Sequence, residues 1–235
     1  MKNIFTIAVF VAGAVLGGDV FKDTFDVENN AGLNDGLDSR QDGSVAPVNY
    51  GVYSTAGEPS VYAESGALRV DVEKPGFVRV VPEMNLADVL KGANFEISYS
   101  VIGGINYADM IHGSYQTTVA LGQKSIVQHQ AGIGNPYFAL GVSIAGNGRI
   151  NVFCGGTKLH HQIPAEAFMI GMQNQVRLSV SGHGFSKGEK ASFTLFVNEA
   201  EVCSGEFEWK SSNDLYFCIQ ADSRTAMFDD LMIVE

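Results

Sequence analysis

Ser192-Phe193-Thr194-Leu195-Phe196-Val197, followed by Asn198-Glu199-Ala200 and then Glu201-Val202-Cys203, decides how this chain is read. Phe193, Leu195 and Val197 alternate with Ser192, Thr194 and Phe196, and a period of two is the mark of a strand with one buried and one wet face. Asn198-Glu199-Ala200 is the turn that lets a second apolar run follow at once, because Asn tolerates a positive φ. Arg177-Leu178-Ser179-Val180 repeats the alternation, and Gly146-Asn147-Gly148 separates two further apolar runs as a tight hairpin requires. Outward from these, short runs of the same kind recur along the chain, among them Val20 to Val27, Phe95 to Val101, Gln116 to Leu121, Ser125 to Gln130, Tyr137 to Ile144, Leu215 to Gln220 and Met227 to Val234. Helical pattern is confined to Asn85-Leu86-Ala87-Asp88-Val89-Leu90-Lys91, with Asn85 as N-cap, and to Pro164 to Met172. The expectation is an all-β, antiparallel sandwich with one or two short helices.

The chain has 235 residues, 27 of them glycine and only 6 proline, which suits many tight turns around a real core rather than a disordered chain. No repeat and no Pro/Ser-rich linker divides it, so residues 19–235 read as a single domain. Fifteen Lys and Arg against 26 Asp and Glu leave a formal charge of −11. That balance provides no basic footprint for nucleic acid and repels anionic lipid. Residues 1–18 have the parts of a signal peptide: Lys2, then the apolar run Ile4 to Leu16, too short to span a bilayer, then small residues at Val15 and Gly17. Secretion or periplasmic export is expected, with no membrane insertion. Cys154, Cys203 and Cys218 allow at most one bridge within the chain. Cys203 and Cys218, on apolar runs either side of Lys210-Ser211-Ser212-Asn213-Asp214, are candidates for a pair across a hairpin.

Phe21-Lys22-Asp23-Thr24-Phe25-Asp26 near the start, Leu33 to Tyr50, Phe196-Val197-Asn198-Glu199-Ala200 and Ala226-Met227-Phe228-Asp229-Asp230-Leu231-Met232-Ile233 at the end together touch about a third of the chain. They resemble segments of laminin G-like, concanavalin A-like jelly-roll modules of exported bacterial proteins. The resemblance implies that the first and last strands pair, and that the function lies among lectins, glycan-binding appendages, polysaccharide hydrolases and lyases, and adhesion domains. Paired terminal strands would bring Asp23, Asp26 and Asp230 together, with Asp229 beside them. Ca²⁺ takes six to eight oxygen ligands and would offset their repulsion, so these three are the candidate metal ligands.

The expected function is non-catalytic recognition of a polysaccharide or cell-surface glycan on one sheet face. Tyr107, His112 and Tyr115, in a polar, aromatic, glycine-bearing stretch, together with Gln128 and Gln130, are the candidate ligand-binding residues, since rings stack on sugar faces and amides bond hydroxyls. The alternative is a polysaccharide-degrading enzyme. Glu206 and Glu208, two apart beside Trp209, would present two carboxylates on one strand face at a separation suited to acid and base. On a simpler reading they are the solvated positions of an alternating strand with Phe207 buried. The strand-borne Gln-x-His of the lyase branch is not matched by Gln128-His129-Gln130. His160 and His161, being adjacent, cannot chelate one ion from a strand.

Overall fold

A computed structural model of the chain describes residues 18–27, 30–72, 76–103, 116–129, 132–222 and 225–235. In chain order its strands are β1 (Asp19–Asp23), β2 (Ala31–Gly32), β3 (Gln41–Asp42), β4 (Tyr50–Ser54), β5 (Ser60–Glu64), β6 (Ala67–Asp71), β7 (Phe77–Pro82), β8 (Phe95–Gly103), β9 (Gln116–Gly122), β10 (Leu140–Ala145), β11 (Arg149–Cys154), β12 (Thr157–Gln162), β13 (Asn174–Gly182), β14 (Lys190–Val197), β15 (Ala200–Glu208), β16 (Tyr216–Asp222) and β17 (Ala226–Val234). Among the described residues three short helices interrupt them: α1 (Leu37–Arg40), α2 (Leu86–Val89) and α3 (Lys124–Gln128).

The strands form two antiparallel sheets. One runs β15-β14-β13-β8-β17-β6-β5-β2, with β1 on β17 and β3 on β1; the other runs β12-β11-β10-β9-β16-β7-β4. The first and last strands pair, Phe21 opposite Ile233 and Asp23 opposite Leu231. β17 changes partner midway: Ala226–Phe228 lie against β6, whereas Leu231–Val234 lie against β1. The change falls at an irregularity between Asp229 and Met232, where Asp230 takes φ 49°.

The core is the space between the sheets, filled by alternate residues of each strand. Val176, Leu178 and Val180 of β13 and Phe193, Leu195 and Val197 of β14 face Val119 and Leu121 of β9 and Phe217, Ile219 and Ala221 of β16 across one apolar cluster. Each such side chain, once buried, contributes about 1.5–3 kcal/mol. The β14–β15 turn is the expected one: Asn198 and Glu199 have φ of 46° and 66°, as a two-residue hairpin turn demands. The Asn198 side chain also clamps the neighbouring loop, accepting from the Gln175 amide at 2.8 Å and donating to the Ala167 carbonyl at 2.8 Å. Asn85 caps α2 by accepting from the Ala87 amide at 3.2 Å and from Leu215 at 2.9 Å.

Some local expectations change. Ser125 to Gln130 does not form a strand; Lys124–Gln128 is the helix α3. Its apolar pair Ile126-Val127 is too short for periodicity to separate one turn of helix from a strand. Pro164 to Met172 forms turns without a helix. β4 and β12 were not expected: β4 is interrupted by Gly51, and β12 is a mostly exposed outer strand with little apolar pattern to read. Cys203 and Cys218 do not share a hairpin, because β15 and β16 belong to different sheets; all three cysteines are free. Among the described residues no helix is long and apolar enough to cross a membrane.

Candidate functional site

The seven-stranded sheet has a second, outer face, and the register assembles one continuous row across it. Tyr53 of β4 lies opposite Arg79 of β7, Arg79 opposite Gln220 of β16, and Gln220 opposite Thr118 of β9. Thr118 lies opposite Ser143 of β10, Ser143 opposite Asn151 of β11, and Asn151 opposite His160 of β12. Every one of the seven strands thus supplies a hydrogen-bonding side chain to a single row, and Arg79, Ser143, Asn151 and Gln220 are each flanked in sequence by residues of the core between the sheets.

Arg79 is the anchor of this row and is fully buried. Its Nε donates to Gln220 Oε1, its Nη1 donates to the His129 carbonyl, and its guanidinium lies 4.3 Å from the Phe77 ring centroid and 5.2 Å from that of Phe138. Gln220 passes the contact on: its amide nitrogen donates to both Asp222 oxygens, at 2.8 and 3.0 Å. Burial pushes the Asp222 carboxyl up to about 6, against the opposing pull of Gln220 and Arg79. Thr118 Oγ1 and Asn151 Oδ1 are buried in the same row without a hydrogen-bond partner among the described residues.

Part of the outer face is apolar and carries a cover. Val81, Ala120 and Cys218, one step along the strands from the polar row, pack with Val127 of α3 and with Ile133 and Phe138 of the following turns. Glycine makes the close fit possible at two places: a Cβ on Gly141 would stand 3.1 Å from Ile133 Cγ2, and one on Gly122 would stand 3.3 Å from Phe138 Cδ1.

Where this cover meets the edge of the sheet, two half-buried tyrosines form a rim. Tyr53 folds back over Gly51, which has no side chain to obstruct it, and its hydroxyl is hydrogen-bonded by Gln128. Tyr216 packs against the same outer cluster, with the Lys124 ammonium 5.5 Å from its ring centroid. Partial burial raises both phenol pKa values, and Glu83 adds to both shifts, joined at Tyr216 by Asp214 and Asp88. One carboxylate therefore lies within electrostatic reach of both rings. Half-exposed ring faces bordered by an amide, carboxylates and an ammonium group can stack on an apolar sugar face while bonding its hydroxyls.

Of the residues singled out from the sequence, Gln128 belongs to this rim, although it reaches it from a helix. Tyr107, His112, Tyr115 and Gln130 lie outside the described residues. Glu206 and Glu208 are solvated on the outer strand β15 with Phe207 buried between them, and Glu206 pairs with Lys190 at 3.7 Å. His160 and His161 lie on the outer strand β12.

Asp23 is wholly buried and already engaged. Its oxygens accept from the Phe25 amide at 2.8 Å, Gln41 Nε2 at 2.9 Å and the Tyr50 hydroxyl at 2.8 Å, and Arg40 Nε lies 3.4 Å away. Asp26 is exposed beside Gly66, and Asp230 is exposed at the irregularity in β17. Asp229 is raised by burial, with Asp230, Asp26 and Asp23 adding to the shift. Among the described residues no three His, Cys, Asp or Glu side chains are grouped so as to hold a metal ion.

Sequence reasoning missed Tyr53, Arg79, Glu83, Tyr216, Gln220 and Asp222. The alternation in Leu215 to Gln220 already separates Tyr216, Cys218 and Gln220 from Leu215, Phe217 and Ile219. What a single strand cannot show is which residues of the other six stand beside them.

These sheets define the class: an antiparallel, concanavalin A-like β-sandwich of the kind found in lectins. No family model matches the chain, and no curated protein is similar to it in sequence. Solved structures are similar to it in fold. The carbohydrate recognition domain of Emp47p is similar at a TM-score of 0.54 and 9% identity, over 93% of this chain and 95% of that one. The corresponding domain of Emp46p is similar at 0.52 and 10%, over 78% and 87%. Arcelin-5, a lectin-like defence protein of Phaseolus vulgaris, is similar at 0.51 and 10%, over 79% and 91%. At such identities the likeness is one of fold.

Proposed function

We propose that this chain is an exported carbohydrate-binding protein without catalytic turnover, and that it holds a glycan on the outer face of the seven-stranded sheet. The observation that carries the reading is the rim of Tyr53, Gln128, Glu83 and Tyr216: two half-exposed rings in the field of one carboxylate, with an amide beside them. The likeness to carbohydrate recognition domains supports it at the level of fold. Tyr107, His112, Tyr115 and Gln130 stay within the proposal as further contacts; the chain that bears the first three leaves β8 at Gly103 and enters β9 at Gln116. Export rests on the leader of residues 1–18.

The test is retention of the purified chain on a panel of plant, algal and bacterial polysaccharides, with released reducing ends and unsaturated products followed over a day. Retention without products is the expected result. Products would overturn the non-catalytic reading in favour of a degrading enzyme, and neither retention nor products would remove carbohydrate altogether.

A further inference from the structure

Three cysteines allow three pairings, and the two sheets separate them. Cys218 lies on the outer face of the seven-stranded sheet, packed with Val81, Ala120, Val127 and Phe138. Cys203, opposite Leu195 on β15, points into the core between the sheets. The seven-stranded sheet therefore stands between their side chains, and a bond between them would require the strand to turn over.

Cys154 is placed differently. It ends β11, opposite Leu140, and packs half-buried against the same central core as Cys203. β11 and β15 come into contact at the open side of the sandwich, where the outer strands of the two sheets meet without hydrogen bonding to each other. A groove of about 380 Å³ runs along this seam, lined by Cys154, Phe193, Gly205 and Phe207. Gly205 and Phe207 follow Cys203 on the inward side of β15, so Cys203 lies one step along that strand face from the groove that Cys154 lines from the opposite sheet. Cys154 also contributes to the electrostatic environment of Cys203.

We infer that Cys154 and Cys203 are the disulfide-forming pair of this protein, a bond that would tie the two sheets together across the seam. The chemistry is thiol–disulfide exchange with a low-molecular-weight disulfide such as oxidised glutathione. The half-buried Cys154 thiolate attacks a glutathione sulfur and releases one glutathione thiolate. The Cys203 thiolate then attacks the Cys154 sulfur of the mixed disulfide and releases the second. Two protein thiols are oxidised, one glutathione disulfide is reduced to two thiols, and the two protons given up by the protein thiols pass through solvent to the released glutathione thiolates. Burial pushes Cys203 up to about 11, so the second step gains rate as pH rises toward that value.

The experiment is incubation of the folded chain with oxidised glutathione at mildly alkaline pH, then non-reducing peptide mapping by mass spectrometry and thermal melting. The expected product is a peptide pair linking Cys154 to Cys203, lighter by two hydrogens, with Cys218 still a thiol. Its Tm should lie roughly 5–10 °C above that of the reduced chain, a difference that dithiothreitol removes. A glutathione adduct that persists on Cys154 while Cys203 stays a thiol, a bridge involving Cys218, or no oxidation would each overturn the inference. Mapping the wild-type chain requires no substitution to fold; Cys154→Ser, altered at a half-buried position, should lose the Tm difference alone.

Discussion

Asp222 stands between opposing influences. Burial raises its pKa, while the Gln220 amide and the nearby Arg79 guanidinium favour the anion; burial prevails, and the folded value is about 6 against an ordinary 3.8. A group whose pKa rises on folding binds its proton more tightly in the native state. Its contribution is complete below the unfolded value and is lost as pH rises from about 4 through about 6. Two units correspond to roughly 3 kcal/mol. Asp222→Asn, which cannot ionise, should therefore flatten the dependence of stability on pH between 4 and 7, as measured by denaturant unfolding at several pH values. An unchanged profile would show that Asp222 titrates normally. Asp23 shows how far a single residue is legible: its place on the first strand could be read, but the burial that commits it to Arg40, Gln41 and Tyr50 could not, since those partners are assembled by β1, α1, β3 and β4 together.

The hairpins were legible because turn chemistry is local: Asn198-Glu199 and Gly146-Asn147-Gly148 specify their backbone whatever the rest of the molecule does. α3 was not, for its form is settled by what it covers. Val127 is held by packing on Ala120 and Cys218, and Arg79 reaches across to the His129 carbonyl just beyond the helix. β12 was illegible for the opposite reason, being an outer strand with hardly any buried side chain. The cover that follows α3 depends on the absence of a side chain at Gly141, so Gly141→Val should displace Ile133. The expected cost is about 1–3 kcal/mol, read from the midpoint of urea unfolding. A midpoint equal to that of the wild type would mean that the cover does not rest on this contact.

At the scale of the whole molecule, the sandwich could be argued from alternation alone, but the site could not, because register is a property of pairs of strands. Seven separate runs had to be aligned before Tyr53, Arg79, Gln220, Thr118, Ser143, Asn151 and His160 became one row. The sandwich also has a second outer face, on the ten-stranded sheet, where Phe196 carries Arg177 with its guanidinium 3.9 Å from the ring centroid. That face provides the control for the central claim. On whichever polysaccharide retains the wild-type chain, the affinities of Tyr53→Ala, Tyr216→Ala and Phe196→Ala should be compared, with the melting of each variant checked. A loss of tenfold or more, about 1.4 kcal/mol, is expected at both tyrosines, with Phe196→Ala binding like the wild type. Full binding by the folded tyrosine variants, or loss confined to Phe196→Ala, would contradict a glycan site on the outer face of the seven-stranded sheet.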